Sequence, residues 1–219
     1  RAKKDRHPNV HCFSSSVDAK HFGKARDQLD DPSDQAAIAD PRLGFFGVID
    51  ERVDLGVWGL FDNARPEYNI VMLGPVVKID QANLPQRPNL HYLGQRQYAD
   101  LPAYLAGWDV CLLPFALNDS TRFISPTKTL EYMAAGKPIV STPITDVVGP
   151  YADVVYIAHD YQKFVESCDK ALNLDAAEAD RRQQKAAAIL ARTSWDTTAE
   201  SMSDIIATAI KANAPRTAV

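Results

Sequence analysis

Short apolar runs that end in turn residues divide the chain from Pro41 onward into regular segments. The runs are continuous rather than alternating, which is typical of strands buried on both faces of a parallel sheet. They predict six strands: Arg42–Gly47, Asn69–Gly74, Leu90–Gly94, Asp109–Pro114, Pro138–Thr142 and Val154–Ala158. Helical spacing of apolar residues predicts six helices: Val53–Ala64, Leu101–Gly107, Pro126–Ala135, Tyr161–Asn173, Ala176–Arg192 and Asp196–Ala212.

The alternation of strands and helices predicts an α/β fold with a doubly wound, mostly parallel sheet of the Rossmann-like kind. Such sheets bind ligands beyond the carboxyl ends of their strands, where the strand order switches direction. The turn Phe46–Ile49 and the loop Asn118–Lys128 both follow predicted strand ends. We therefore expect these two segments to face one crevice.

The rest of the chain predicts the domain organisation. We expect residues 41–213 to form the domain, residues 214–219 to be a frayed tail, and residues 1–40 to be the end of a preceding domain with a linker. Within residues 1–40, Asn9–Ser16 reads as a short strand, and Gly23–Asp40 is polar without regular apolar spacing. The abrupt polar start is typical of a cut within a longer protein.

Composition narrows the class of protein. The 46% hydrophobic and 24% charged content is that of a globular protein, and no apolar run approaches the roughly 18 residues of a membrane span. The three cysteines share no metal-ligand spacing, which favours reduced thiols and a cytoplasmic location.

Charge is distributed unevenly along the chain. Residues 1–26 carry seven Lys or Arg and two Asp, although the net charge of the chain is −4. The acidic remainder argues against a nucleic acid partner. The basic start either contacts anionic lipid at the inner face of a membrane or keeps a linker in solution, and the second reading is favoured.

One helix start carries the candidate chemistry. Ser125 is a good N-cap and Pro126 suits the first helical position. Lys128 in the first turn is unfavourable against the helix dipole unless an anion binds there. Glu131 shares its face and can accept hydrogen bonds from hydroxyls of the same ligand. A phosphate beside a diol describes a nucleotide, whereas an exposed Lys–Glu pair explains the spacing equally well.

Absent motifs exclude other classes of nucleotide-binding protein and enzyme. No G-x-G-x-x-G follows the first strand, and no P-loop or G-x-S-x-G elbow occurs. No Asp-x-Asp stands at a strand end, where a divalent metal site for a diphosphate would need it. We therefore expect neither a metal nor a bound cofactor.

The run LGQRQYADLPAYLAGWDVCLLPF, followed by SPTKTLEYMAAGKPIVST, resembles the carboxy-terminal half of bacterial GT-B glycosyltransferases of family 4, the group 1 transferases. The pattern Pro-x-Lys-x-x-Glu-Tyr-x-Ala-x-Gly-x-Pro is its most specific part. Weaker similarity covers NVHCFSSSVDAKHF, LGFFGVIDERVDL and the Ser-Trp-Asp run at 194–196. Together the resemblance covers most of residues 9–212.

The resemblance implies roles for the residues of this helix start. Glu131 matches the glutamate that binds the donor ribose. Ser125, Thr127 and Lys128 match the segment that holds the diphosphate, and Lys128 is the expected catalytic group. Gly47 would approach the phosphates from the other side.

The resemblance also implies further contacts. Arg52 is a second cation whose register differs from the usual positions. Gln95 and Arg96 match the loop that contacts the base, and Asn118 and Thr121 lie in the loop near the transferred sugar. Many members carry a second glutamate eight positions before Glu131, where this chain has Phe123, so the identity of the sugar does not carry over.

By this resemblance, the intact enzyme is a hexosyltransferase that moves a sugar from a nucleoside diphosphate, UDP being favoured, to an acceptor hydroxyl with retention of configuration. Its acceptor is a glycan or lipid-linked molecule in polysaccharide or cell-envelope synthesis, bound through a missing amino-terminal domain. We expect this chain alone to bind the donor weakly and to transfer little. A sugar-nucleotide 2-epimerase and a non-catalytic nucleotide-binding module remain as alternatives.

Overall fold

The computed structural model describes residues 4–7 and 9–212, in which six parallel strands form one sheet. The strands are β1 Arg42–Phe46, β2 Asn69–Leu73, β3 Leu90–Gly94, β4 Val110–Leu113, β5 Ile139–Ser141 and β6 Tyr156–Ile157. Their order is β3-β2-β1-β4-β5-β6. The predicted doubly wound, Rossmann-like α/β fold is therefore confirmed.

Eight α-helices precede, connect or follow the strands in the described residues. They are α1 Ala19–Gly23, α2 Gly56–Ala64, α3 Leu101–Ala106, α4 Lys128–Ala134, α5 Thr145–Tyr151, α6 Tyr161–Leu172, α7 Ala176–Leu190 and α8 Trp195–Ala212. The six predicted helices are present with shifted ends, whereas α1 and α5 were not predicted. Within these residues, no helix is both long and apolar enough to span a bilayer.

Two hydrophobic cores cover the two faces of the sheet. One face packs against α1, α3, α4 and α7, with Phe46, Leu113 and Leu130 among its buried side chains. The other packs against α2 and α6 and includes Phe45 and Leu112. Neighbouring strand residues thus point into different cores, which explains why the apolar runs are continuous.

Two predicted strand segments differ in the structure. Asn9–Ser16 is not a strand and does not belong to the sheet; the Ser16 hydroxyl bonds instead to that of Thr198 on α8, 2.7 Å away. The last predicted strand is reduced to β6, because the amides of Val154 and Val155 both bond to the carbonyl of Tyr151 in a turn.

The stretch Gly23–Asp40, expected to be a linker, packs against the domain. Ala25 and Ile38 lie in the core of the α4 face, together with Phe22 just before them. Gln35 is fully buried and accepts a hydrogen bond from the Trp108 indole N–H at 2.8 Å. The buried residues of this stretch are isolated and follow neither helical nor strand spacing, so the sequence pattern did not predict their burial. The predicted tail, residues 214–219, lies outside the described residues.

Candidate active site

The strand order switches direction between β1 and β4, and the loops that follow these two strands meet there. The amide of Ala116 donates to the carbonyl of Arg52 at 2.9 Å. The side-chain amide of Asn118 donates to the carbonyl of Glu51 at 3.0 Å. The predicted convergence of the two loops is thus present, and together they form one wall of a crevice at the carboxyl edge of the sheet.

Gly47 follows β1 with a φ of 143°, a backbone conformation that residues with a side chain rarely adopt. Its amide donates to the carbonyl of Leu73 at 2.8 Å. A Cβ at this position would lie 2.3 Å from Cε and 2.7 Å from Nζ of Lys128. The end of the lysine side chain therefore occupies the space that any other residue at position 47 would need.

Lys128 is the first residue of α4, and its Nζ lies 5.7 Å from the centroid of the Phe45 ring. Burial lowers the pKa of Lys128; Glu131 and Asp50 oppose this effect, and Arg52 adds to it. Among residues 4–7 and 9–212, no side chain or carbonyl forms a hydrogen bond or an ion pair with the ammonium. A partly buried cation thus lies beside the Gly47 turn, and within the described residues no anionic partner is in contact with it.

Glu131 lies one helical turn after Lys128 and is partly buried. Burial raises the pKa of Glu131, while Lys128 and a hydrogen bond with the Thr127 side chain oppose that rise. The carboxylate and the ammonium do not approach to ion-pair distance in the described chain. Both groups therefore keep hydrogen-bonding capacity for a ligand.

Arg52 lies near this pair, but its guanidinium is bound to Asp50. Its Nε donates to both Asp50 oxygens at 2.9 and 3.0 Å, and its Nη2 donates to one of them at 2.7 Å. Asp50 is 2% exposed; burial raises its pKa, but the bonds from Arg52 outweigh burial, so the pKa of Asp50 is lowered overall. The charge of Arg52 is therefore compensated within the protein, unlike that of Lys128.

The side chains of Asn118 and Thr121 build the loop before α4. The Thr121 hydroxyl bonds to the carbonyl of Ala116, and its amide donates to the Asn118 side-chain oxygen at 3.2 Å. Their expected place near a sugar stays a prediction.

The N-cap assignment of Ser125 is wrong, because the helix begins at Lys128 with Thr127 as its cap. The amide of Thr129 donates to the carbonyl of Pro126 in a tight turn that leads into the helix. Ser125 lies before this turn and is exposed. Phe123 is 84% exposed, and its ring lies 5.2 Å from the Arg122 guanidinium.

Gln95 and Arg96 follow β3, two strands away from the switch point. Arg96 bonds to the carboxylate of Asp34 and, at 2.6 Å, to the hydroxyl of Tyr104. Gln95 is exposed, and its carbonyl accepts from Arg96 at 2.9 Å. Parallel strands bring both residues to the same edge of the sheet as Lys128, but Arg96 is bound to residues 34 and 104 rather than to the crevice.

Sequence reasoning missed Asp50 and Tyr132. Tyr132 is fully buried in α4, and its hydroxyl accepts a hydrogen bond from the amide of Phe46 at 3.1 Å. This bond ties the helix that carries Lys128 to the end of β1. For Asp50, the Asp-x-Arg spacing at residues 50–52 was a signal in the sequence that it could pair with Arg52. For Tyr132, nothing in the periodicity of α4 indicated a bond to β1.

A cavity of about 220 Å³ lies elsewhere, between the end of α4, the start of β5 and α7; Lys137, Pro138 and Arg182 are among its lining residues. It shares no residue with the crevice at Lys128. Among the described residues, no three His, Cys, Asp or Glu side chains come together as metal ligands would.

Comparisons with known proteins place this crevice in context. The sequence model of the family described as "Glycosyl transferases group 1" matches residues 41–173. A relative from Bacillus subtilis (strain 168) carries the name "Putative teichuronic acid biosynthesis glycosyltransferase TuaH". It is 24% identical in an alignment of 183 residues that covers 80% of this chain and 46% of TuaH.

Solved structures share the fold. Anabaena Alr3699/HepE, determined with UDP-glucose, superposes with a TM-score of 0.66 at 15% identity, over 88% of this chain and 56% of that protein. The same protein was determined with UDP and glucose. The α,α-trehalose 6-phosphate synthase of Burkholderia multivorans gives a TM-score of 0.64 at 16% identity, over 91% of this chain and 51% of the enzyme. The chain thus spans about half the length of the proteins it matches.

Proposed function

Because the chain belongs to the group 1 glycosyltransferases, we propose that it is the donor-binding half of an enzyme that transfers a sugar from a nucleoside diphosphate to an acceptor hydroxyl. A UDP-sugar is the favoured donor, since the Anabaena relative in fold was determined with UDP-glucose. An acceptor in cell-envelope glycan synthesis is favoured by the name of TuaH. The rest of the enzyme supplies the acceptor site.

The position of Lys128 carries this proposal. Its ammonium is partly buried, has no anionic partner in contact within the described chain, and lies against the Gly47 turn, where no side chain intervenes. A cation held in this way is an incomplete ion pair, because burial without a partner is costly. A diphosphate entering over Gly47 completes the pair.

Glu131 gives the site its preference for a nucleotide over a simple phosphate. It lies one turn further along α4, on the face of Lys128, and its side chain is partly buried. A carboxylate at that place accepts from the two vicinal hydroxyls of a ribose. The diphosphate and the ribose then bind along one face of one helix.

In the transfer step, the bond between the sugar and the diphosphate breaks and the departing oxygen gains negative charge. Lys128 is already oriented toward that charge, so its contribution is larger in the transition state than in the ground state. We propose retention of anomeric configuration and no bound metal, as in the expectations above. The side chains of Ser125 and Thr127, with the turn at Gly47, complete the proposed donor site, and the loop that Asn118 and Thr121 hold together borders the transferred sugar.

A thermal-shift panel with UDP, GDP, ADP and uridine tests the binding half of the proposal. A ligand that binds the folded chain raises its midpoint of unfolding by mass action. We expect UDP to give the largest shift, Lys128→Met to remove most of it, and uridine to give little.

Lys137→Met is the matched control. Lys137 also has a pKa lowered by burial, but it lies just past the other end of α4 and donates to the carbonyl of Ala106 at 2.8 Å. An unchanged shift in Lys128→Met, or no shift with any nucleotide in the wild-type chain, would refute the proposal.

The catalytic half needs the protein at the full length of its gene. Incubation with UDP-sugars and a glycan acceptor should release UDP and give a product whose anomeric proton reports retention by NMR. Nucleotide binding without any product or hydrolysis would instead identify a non-catalytic module.

A further inference from the structure

The end of α4 opposite Lys128 is held by a residue from before the sheet. Arg26 donates from Nε to the carbonyl of Ala134 at 2.8 Å and from Nη2 to that of Met133 at 3.0 Å. Carbonyls in the last turn of a helix lack intrahelical partners, and a cation there also suits the helix dipole. Gly136, with a φ of 72°, ends the helix where a Cβ would lie 3.1 Å from Arg26.

The segment that carries Arg26 also contacts the side of α4, through a series of aromatic rings. Phe22 on α1 is 1% exposed, and its ring is stacked parallel to that of Phe46 with centroids 6.0 Å apart. The Phe46 ring in turn meets Tyr132 edge-on at 5.1 Å, and the Phe46 amide donates to the Tyr132 hydroxyl. Asp18 starts α1 by accepting from the amide of His21 at 2.9 Å.

We infer that residues 18–26 form a clamp that positions α4, in which Arg26 and Phe22 keep Lys128 beside Gly47 and Glu131 at the crevice. The inference rests on the proposed function for its nucleotide readout. Arg26 and Phe22 are positioning residues, because they touch α4 and the end of β1 rather than the ligand. Because the clamp lies outside the crevice, a change in this segment alters donor affinity through the position of α4, without any substitution among the residues of the crevice.

Because α4 is short and the Arg26 side chain is exposed, we expect the loss of the Arg26 guanidinium to act on α4 rather than on the whole fold. With seven residues, α4 has about two turns; the core holds its five buried side chains, and Arg26 holds the carbonyls of its last turn. Arg26 itself is exposed, and water replaces its bonds to the two carbonyls when the side chain is shortened. Removing the guanidinium therefore moves the helix more than it unfolds the chain.

Arg26→Met tests the clamp, because it keeps the aliphatic stem and removes the donors. Calorimetry with UDP should show a dissociation constant weakened by about fivefold or more, and Arg26→Lys, which keeps one donor and the charge, should recover most of the loss. Arg65→Met is the control: its guanidinium also donates to a backbone carbonyl, that of Ala64, and it pairs with the carboxylate of Asp169 on α6, at the opposite face of the sheet from α4. It should change affinity by less than about twofold.

A second readout needs no ligand. The pKa of Lys128, followed by NMR of its labelled side chain, should rise toward that of an ordinary lysine in Arg26→Met, because a displaced ammonium is better solvated. A loss of global stability alone does not move this pKa. The readout therefore separates positioning from folding.

Unchanged UDP affinity together with an unchanged Lys128 pKa in Arg26→Met would overturn the clamp. If the wild-type chain binds no UDP, the proposed function fails, and the pKa readout still decides the clamp. If Arg26→Met does not fold, Phe22→Leu fills the core without the ring stack on Phe46 and should move both readouts in the same direction. Wild-type values in that variant would also overturn the inference.

Discussion

Replacing Gly47 by alanine changes the crevice at its tightest point. The new Cβ would lie 2.3 Å from Cε of Lys128, whereas ordinary contact begins at 3.4 Å. The lysine side chain must therefore move by about 1 Å or leave the site. The backbone φ of 143° adds strain of about 1–3 kcal/mol for any residue with a side chain.

The loss of affinity follows from Coulomb's law. For an ammonium about 4 Å from a phosphate charge at an effective dielectric constant of about 20, the attraction is about 4 kcal/mol. A further 1 Å removes about 0.8 kcal/mol, which is about fourfold in the dissociation constant. Complete expulsion of the lysine removes most of the attraction, so fourfold is the lower end of the expected effect.

Calorimetric titration of UDP into the folded variant measures this loss, and urea denaturation measures the stability. Gly149→Ala is the control, because a Cβ there meets nothing within 4 Å in the helical segment α5. It should leave UDP affinity unchanged and should not lower stability. If Gly47→Ala folds and binds UDP as tightly as wild type, the ammonium of Lys128 is not where the diphosphate binds.

Three further predictions concern the groups around this point. Burial lowers the pKa of Lys128 below 10.5, so UDP affinity should fall as pH rises through that lowered pKa, and calorimetry across the alkaline range should show a flat profile in Lys128→Met. A UDP affinity that does not fall over this pH range would contradict the proposed role of Lys128. Between the lowered pKa of Lys128 in the folded chain and its ordinary pKa in the unfolded chain, the unfolded chain binds more protons at this residue, so the contribution of Lys128 to the free energy of unfolding rises with pH. Glu131→Gln should weaken UDP and uridine by about tenfold and leave pyrophosphate unchanged, and an equal loss for pyrophosphate would remove the ribose role. Tyr132→Phe leaves the buried amide of Phe46 without its acceptor, so urea denaturation should show a loss of about 1–3 kcal/mol; a loss below about 0.5 kcal/mol would mean that this bond contributes little.

The sheet was predictable because its signal is local. Each of β1 to β5 lies within one residue of a continuous apolar run bounded by Gly, Pro or Asp. The helix α5 was hidden because Gly149 and Pro150 stand in its last turn. Residues 18–38 were hidden for another reason: Phe22, Gln35 and Ile38 are buried singly, and no period marks them.

The sequence indicated where two residues of the candidate site lie along one helix, but it did not indicate which residues from other elements they contact. The place of Lys128 in the first turn and of Glu131 on the same face follows from spacing along one helix. The approach of Lys128 to Gly47 depends on the pairing of β1 with β4, which spacing along the chain does not contain. Spacing along the chain also does not show that Asp50 is buried, and it is this buried carboxylate that binds the Arg52 guanidinium within the protein.

A crystal structure of this chain with UDP bound tests the assignment of the crevice most directly. The account predicts the diphosphate within hydrogen-bond distance of the Lys128 ammonium and over the Gly47 turn, with a Glu131 oxygen on the ribose hydroxyls. A diphosphate bound instead at the Lys137 and Arg182 cavity, with Lys128 untouched, would contradict it.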